Sequence, residues 1–540
     1  MNESKPGRFK IWAPLFFSIV MVAGMLLGYN MRDSVRKTDP RKERLDRILD
    51  LINEKYVDTV NSNLMYKDAI SGILKSLDPH TVFIPAEDLQ GINDDMEGEF
   101  SGIGVEFSVV HDTIAVVAVI DNGPAQHAGI AVGDQLLKVN DSSVAGIHIT
   151  SERIIHLLKG KQGSNVSVTV KQLAGTIKQA SITRDLIPTY SVEASLMLDA
   201  STGFIKINRF SATTYDEFKA ALKKLQSVGA KQLIIDLRDN PGGYLDQASS
   251  IADELLNDNK LVVYTKGLHT PKTEYRAGAK GSFEEGRLAI LVDEGSASAS
   301  EILSGAIQDW DRGVIIGRRT FGKGLVQEQY DLPDGSALRL TVAKYYTPSG
   351  RCIQRSFAGG KEAYMDDYEK RLEGGELTGT DSFKVADTTK YYTGKHRIVY
   401  GGGGIKPDVY VPYDTMRLSS ALINMIYSED LKNTIWEYFI HNKAALNYKT
   451  VADFATSFNA QQQVADNYLA SLTPEARAKA EHALASPVSR QYFDLQIKSQ
   501  LARYLFRDNG YFTISLKDDD VAQKALQILN SDSYSKILGN

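Results

Sequence analysis

The sequence predicts a multidomain α/β protein: an N-terminal membrane helix, a small helical segment, a small β domain inserted before an α/β core, and a C-terminal helical extension. Three observations lead there. An uncharged apolar run opens the chain, short β-type runs divided by glycine turns occupy its second hundred residues, and alternating strand and helix patterns follow before the texture turns helical. At 540 residues the chain exceeds what one core usually organises. Its 43% apolar and 24% charged residues are ordinary for a globular protein. A net charge of −5 argues against a nucleic-acid partner held by overall positive charge.

The opening run, Ile11 to Gly28, follows Lys5, Arg8 and Lys10 and is long enough to just span a bilayer core. The small-x-small stretch Val22-Ala23-Gly24 falls too early for a cleavage site, which favours an uncleaved anchor over a signal peptide. Residues 1–36 therefore form the tail and anchor. In 37–95, Leu45, Ile48, Leu49 and Ile52, then Ile70, Ile73, Leu74 and Leu77, recur at helical spacing and predict two short helices.

Residues 96–185 read as the β domain, with strands at 105–109, 113–120, 136–139, 166–172 and 176–183 and helices at 124–128 and 151–158. Gly102-Ile103-Gly104-Val105 opens the first strand, and Gly123-Pro124 and Gly133-Asp134 follow in order. This resembles a PDZ domain, with Gly102, Ile103, Gly104 and Val105 in the place of its carboxylate-binding loop. Glycines there let backbone N–H groups converge on an anion, and the strand edge beyond can pair with an extended peptide. The expected ligand is a protein C-terminus.

In 186–412 strands at 203–210, 232–237, 288–292 and 314–316 and a helix at 214–228 predict the α/β core, interrupted by a polar insertion around 356–400. From 413 to 540 apolar faces recur at helical spacing, Leu418, Ala421, Leu422, Met425 and Ile426 first. Asp518-Asp519-Asp520 just before the helix 521–529 reads as dipole compensation rather than a metal site. With one cysteine, Cys352, and no His-Glu-x-x-His, neither a disulfide nor a zinc centre is indicated, and no cofactor is expected.

The stretch EGSASASEILSG, 294–305, holds four serines but no G-x-S-x-G elbow. A hydrolytic serine needs a proton acceptor, and none of the nine histidines lies between Leu288 and Phe357. Lysine is the other candidate, and Lys323 sits in Thr320-Phe321-Gly322-Lys323-Gly324. Taken alone, Gly-Lys-Gly is a surface turn; a base requires burial or charge to depress its pKa.

Together, Gly295–Ile302, Gln308-Asp309, Gly317, Thr320–Gly324 and Val326-Gln327 resemble the core of the C-terminal processing, or tail-specific, serine peptidases. Leu77-Asp78-Pro79-His80, Ile235–Gly243, Tyr346–Arg351 and Gly404–Asp408 match further, so the likeness covers roughly 41–412. It implies a Ser-Lys dyad with Ser298 as nucleophile, Lys323 as general base and Gln327 orienting the lysine. The oxyanion would meet the N–H of Ala299 and of Gly242 or Gly243, a choice left open. Ser296 is then expected to cap the helix that starts near Ser298, with Ser300 and Ser304 inside it. The resemblance further implies an endopeptidase acting through an acyl-enzyme on substrates with free C-termini, placed extracytoplasmically (periplasmically) in a bacterial envelope. A silent membrane-tethered peptide-binding scaffold and non-peptidase acyl chemistry are the competing readings; homo-oligomers or regulatory partners stay open.

Overall fold

The computed structural model describes residues 8–35, 39–278, 280–379, 389–415, 417 and 419–539. It divides into two units, Met1–Ser76 and Leu77–Asn540. The first unit holds α1 (Arg8–Val35), α2 (Pro40–Lys55) and α3 (Ser62–Leu74). Asp39 caps α2 by accepting from Arg41 N, with Pro40 supplying a first-turn residue that lacks an N–H. Side chains of α1 are described for residues 12–26, where Trp12, Phe16, Phe17, Met21 and Leu26 are all exposed. Among the described residues no helix is long and apolar enough to cross a membrane, and the expected span Ile11–Gly28 reaches past the described side chains at both ends.

The second unit begins with β1 (Val82–Ile84) and α4 (Ala86–Glu97). The β domain follows: β2 (Glu99–Gly102), β3 (Val105–Val110), β4 (Thr113–Val119), α5 (Pro124–His127), β5 (Gln135–Val139), β6 (Ser142–Ser143), α6 (Ser151–Leu158), β7 (Asn165–Lys171), β8 (Ile177–Thr183) and β9 (Asp185–Pro188). Its sheet runs β3-β4-β5-β7-β8, so β3 is an edge strand. The alternation that predicts these strands places Ile114, Val116, Val166, Val168 and Val170 in one core with Ile154 and Leu158 of α6. Entry and exit strands β2 and β9 pair antiparallel, so the domain hangs from the core by a two-stranded ribbon.

The α/β core comprises β10 (Val192–Met197), β11 (Thr202–Ile207), α7 (Thr214–Ser227), β12 (Gln232–Asp236), α8 (Leu245–Leu255), β13 (Leu261–Lys266), β14 (Thr273–Arg276), β15 (Leu288–Val292), α9 (Ala299–Asp309), β16 (Val314–Gly317), β17 (Leu325–Asp331) and β18 (Ala337–Tyr346). The insertion adds α10 (Gly360–Met365), α11 (Asp367–Glu373), β19 (Lys390–Tyr392) and β20 (Ile398–Tyr400), before β21 (Val409–Tyr410). Its stretch 380–388 lies outside the described residues. The central sheet has the order β10-β11-β12-β15-β16-β21, parallel except for the edge strand β10. Such strands bury both faces and therefore read as continuous apolar runs, as Leu288–Val292 does. Ile205, Ile235 and Ile290 face α7, α8 and α9, while Phe204, Ile234 and Leu291 face the opposite way.

What covers that opposite face departs from expectation. The chain ends in α12 (Ser420–Ile426), α13 (Glu429–His441), α14 (Val451–Ser457), α15 (Gln461–Ser471), α16 (Pro474–Ala483), α17 (Pro487–Ser515), α18 (Asp520–Leu529) and α19 (Ser533–Ile537). Leu418, expected on the face of α12, lies outside the described residues. Val521, Ala525, Ile528 and Leu529 of α18 pack on the core sheet and complete it, whereas α12–α17 build an aromatic-rich cluster of their own that includes Val110 and Ala115 of the β domain. Asp519 caps α18 through Ala522 N and also pairs with Arg238. Helix α17 is broken at Phe506–Arg507, where Arg507 has φ 61°.

A second sheet, β1-β18-β13-β14 with β17 on β18, was not expected from the pattern. Its strands are largely half-exposed, so apolar runs do not mark them. Its function is positional: it carries Gln327 on β17 and draws the segment before β1 to the core.

Candidate active site

Strand β15 delivers the chain to the sheet's C-terminal edge, and only six residues separate its end from the start of α9. Between them Ser298 has φ 55° and ψ −113°, a conformation a serine adopts at a cost of about 1–3 kcal/mol. Neighbours on both sides hold it there. Ala297 N donates to Asn240 O at 3.0 Å, Phe321 N to Ser296 O at 3.0 Å, and Tyr345 Oη to Ser298 O at 3.1 Å. The sequence lacks the G-x-S-x-G signature, yet the backbone makes the same kind of strained strand-to-helix turn.

The four serines separate cleanly. Ser296 Oγ donates to Leu237 O at 2.8 Å, Ser300 Oγ to Asn240 O at 2.9 Å and Ser304 Oγ to Ser300 O at 2.8 Å, and all three are fully buried. Ser298 is half-buried; its hydroxyl faces the Glu301 backbone N–H in a capping box, and among the described residues it donates to no protein acceptor. It also occupies the N-cap position expected for Ser296, whose hydroxyl is spent instead on the β12 end.

Lys323 lies in the loop between β16 and β17. Its Nζ donates to Gln327 Oε1 at 2.9 Å, and Gln327 Nε2 donates to the His80 carbonyl, which fixes the amide's orientation. Burial, helped by the Arg339 guanidinium, lowers the Lys323 ammonium below its ordinary pKa. Lys323 Nζ and Ser298 Oγ are not hydrogen-bonded to each other in this conformation.

Glu301, in the first turn of α9, links the two segments. Its Oε1 accepts from Thr320 Oγ1 at 2.5 Å and Gly322 N at 2.7 Å; its Oε2 accepts from Ser298 N and Lys323 N, each at 2.9 Å. Fully buried, the carboxyl is pushed up to about 7 by desolvation, against the pull of these four donors.

The glycine pair takes two distinct positions. Gly242 has φ 97°, and a Cβ on it would fall 2.7 Å from Ser298 Cβ and 2.9 Å from Ala299 N. Its own N–H donates to Asn240 Oδ1 at 2.9 Å. Gly243 bridges to Phe210 through Gly242 O and Tyr244 N, which turns its N–H to the opposite edge. The residues Gly102, Ile103, Gly104 and Val105 belong to the other sheet system, at the turn from β2 into β3, where Ala125 N donates to Ile103 O at 2.9 Å and Ile120 N to Gly104 O at 2.9 Å.

Sequence reasoning gave no role to Glu301, Tyr345 or His80. His80 sits beside Lys323, bonds Tyr364 Oη through Nε2 at 2.8 Å and stacks edge-on with Phe321. Burial and then the lysine's charge lower its pKa to about 4, so it is neutral here and contributes its carbonyl. The Asp-Pro-His segment was visible in the sequence; its approach across more than two hundred residues was not.

A strained serine on a strand–helix turn, beside a buried lysine and a glycine-lined recess, defines a serine-type hydrolase site. A profile described as peptidase family S41 matches residues 201–360, one for the PDZ domain matches 101–183, and one for a family of unknown function matches 422–508. A probable CtpA-like serine protease of Staphylococcus aureus (strain MRSA252) is 32% identical over 400 residues, covering 72% of this chain and 79% of that protein. A carboxy-terminal-processing protease of Bartonella bacilliformis is 33% identical over 350 residues, 62% of this chain and 80% of that one. The solved photosystem II D1 C-terminal processing protease shares 27% identity, with a TM-score of 0.34, over 56% of this chain and 82% of that chain. The chain belongs to peptidase family S41. It is a serine-type peptidase in which a PDZ domain precedes a mixed α/β peptidase domain with C-terminal helices, and the non-catalytic scaffold reading falls away.

Proposed function

We propose that the protein is an endopeptidase that captures the C-terminal region of a polypeptide in the PDZ groove and cleaves the chain upstream at Ser298. Neutral Lys323 takes the proton of Ser298 Oγ as the oxygen attacks the scissile carbonyl carbon. The resulting oxyanion accepts from Ala299 N–H and from Gly243 N–H, while Gly242, lacking a side chain, leaves room for it. Collapse breaks the C–N bond, and Lys323 passes its proton to the departing amine, leaving an acyl-enzyme. Water, deprotonated by Lys323, then attacks the ester, and the lysine returns the proton to Ser298. Gln327 Oε1 accepts from Lys323 Nζ and holds it in place in both its neutral and its protonated form.

One observation carries this reading. Of four serines, Ser298 alone is part-exposed and does not spend its hydroxyl proton on a backbone carbonyl, and its segment is fastened by Glu301 to the loop bearing a lysine of depressed pKa. The open Ser298–Lys323 pair fits a site that closes when substrate binds. Protein lacking residues 1–36 should degrade casein, and Ser298→Ala should reduce turnover at least a thousandfold, on the order seen when a hydrolase loses its nucleophile. Retained activity in the alanine variant rules out Ser298.

The same proposal places the catalytic unit outside the cytoplasm of a bacterium, tethered by α1. The exposed apolar side chains along 12–26 support this, as does a run that would rise about 27 Å as a helix. Full-length protein should stay with carbonate-washed membranes and the form lacking 1–36 should not; release of both defeats the anchor.

A further inference from the structure

The groove of the PDZ domain has a roof that nothing so far accounts for. Its floor and one side are ordinary for strand addition: the loop 102–105, the free edge of β3, and α6 with Ile155 and Leu158. Facing them across a cavity of about 860 Å³ are α12, α13 and α17, which contribute Ile426, Tyr427, Leu431, Gln500 and Tyr504 to the lining. A profile for a family of unknown function, residues 422–508, matches most of these helices.

The roof is fastened beside the groove rather than merely near it. Val110 and Ala115 of the sheet join the helical core that holds Leu431, Ile435 and Phe439. Lys443 Nζ donates to Val132 O at 2.9 Å, His111 Nε2 meets Glu437 Oε1 at 2.6 Å, and Arg507 pairs with Glu106 at 2.7 Å. Between the fastened flanks both walls leave large apolar side chains in water: Tyr427 is 73% exposed and Ile155 42%. The cations on the rim do not call for an acidic ligand, since Lys159, Lys432 and Arg503 pair with Asp94, Glu429 and Asp508.

An unpaired strand edge between two apolar walls calls for an extended chain with apolar side chains on both faces. A terminal carboxylate held at 102–105 sends the upstream residues along β3, antiparallel to it. Side chains then alternate, the last and third-from-last toward α6 and the second- and fourth-from-last away from it. In an isolated PDZ groove the second set would stand in water. We infer that in this protein α12–α17 form the second half of the substrate-tail site, and that they select tails with apolar or aromatic side chains at the second and fourth positions from the C-terminus. Gln496 and Gln500, one turn apart on α17, line the cavity as amides suited to the peptide's outer backbone edge. Tyr427, Gln496 and Tyr511 also line a second cavity that reaches Asp239 and Asp293 at the β12 and β15 ends, so the roofed groove adjoins the peptidase domain.

This inference rests on tail capture by the PDZ loop, and one experiment separates the two. Full-length Ser298→Ala protein in detergent is titrated with fluorescent decapeptides carrying Leu or Ser at the second and fourth positions, each as free acid and as C-terminal amide. The Leu free acid should bind at least about tenfold more tightly than the Ser free acid, the equivalent of one buried leucine. Tyr427→Ser, a change at an exposed position, should reduce that preference to within about twofold while keeping the preference for acid over amide. Free acids preferred, with Leu and Ser alike in the parent protein, overturns the roof's role and leaves tail capture standing. Acid and amide bound alike overturns tail capture itself. A Leu preference unchanged by Tyr427→Ser overturns the assignment to the helical roof.

Discussion

Replacing Glu301 by Gln changes almost no volume but removes half of a connection. The carboxylate offers two oxygens to four donors, two donors to each oxygen. A Gln side chain has one oxygen, so in either orientation its NH2 faces two donors it cannot satisfy. The orientation that keeps Thr320 and Gly322 strands the amides of Ser298 and Lys323; the flipped one strands the other pair. Two buried groups left unpaired cost about 1–3 kcal/mol each, or about 2–6 kcal/mol together, relieved by the lysine loop drifting from the serine turn. For Glu301→Gln, casein turnover should therefore fall in kcat by at least about a hundredfold, with KM changed less than about threefold.

The buried carboxyl also carries a signature in pH. The Glu301 carboxyl lies at about 7 in the folded protein, above its unfolded value, so the folded state binds the extra proton between roughly pH 4.5 and 7. Its contribution to stability is full below that window and declines as pH rises through it, by about 3 kcal/mol over the whole span. Urea unfolding of wild type minus Glu301→Gln should show that slope. Wild-type kcat in the variant, together with a pH-independent stability difference, would refute the role given to Glu301.

Two further outcomes test the rest of the site. Because burial and then Arg339 depress Lys323, kcat/KM should rise with pH through an apparent pKa below 10.5, and Arg339→Gln should move that midpoint upward; a midpoint insensitive to Arg339 removes it as a cause. Gly242→Ala places a methyl 2.7 Å from Ala297 O in a backbone conformation of φ 97°, so activity should drop by at least about a hundredfold, as for loss of an oxyanion donor, in a stopped assay on the same substrate.

Local pattern made much of the fold readable. The PDZ strands alternate, β15 is an unbroken apolar run, and α6 and β15 begin and end where periodicity puts them. The second sheet escaped because strands such as β17 turn polar residues to water, leaving no run to see. The division of the C-terminal helices between two cores escaped because an apolar helix face does not say which partner it meets. At the site, the motifs singled out Ser298, Lys323 and Gln327; in the structure Glu301 joins the Ser298 and Lys323 segments, and Lys323 Nζ meets Gln327 Oε1. Nothing in the sequence separates Glu301 from a helix-surface acid, and only its burial shows what it connects. The histidine census was sound locally, yet the second sheet carries His80 to the lysine from more than two hundred residues upstream.

The free edge of β3 has a consequence outside catalysis. A bare strand edge invites pairing with any other edge, including that of a second copy or of a damaged, half-unfolded protein, which a peptidase meets constantly. The helices α12, α13 and α17 face that edge across the cavity and shield it as a covering helix blunts an exposed strand. The protein can thus keep a permanently unpaired edge without becoming a seed for its own aggregation.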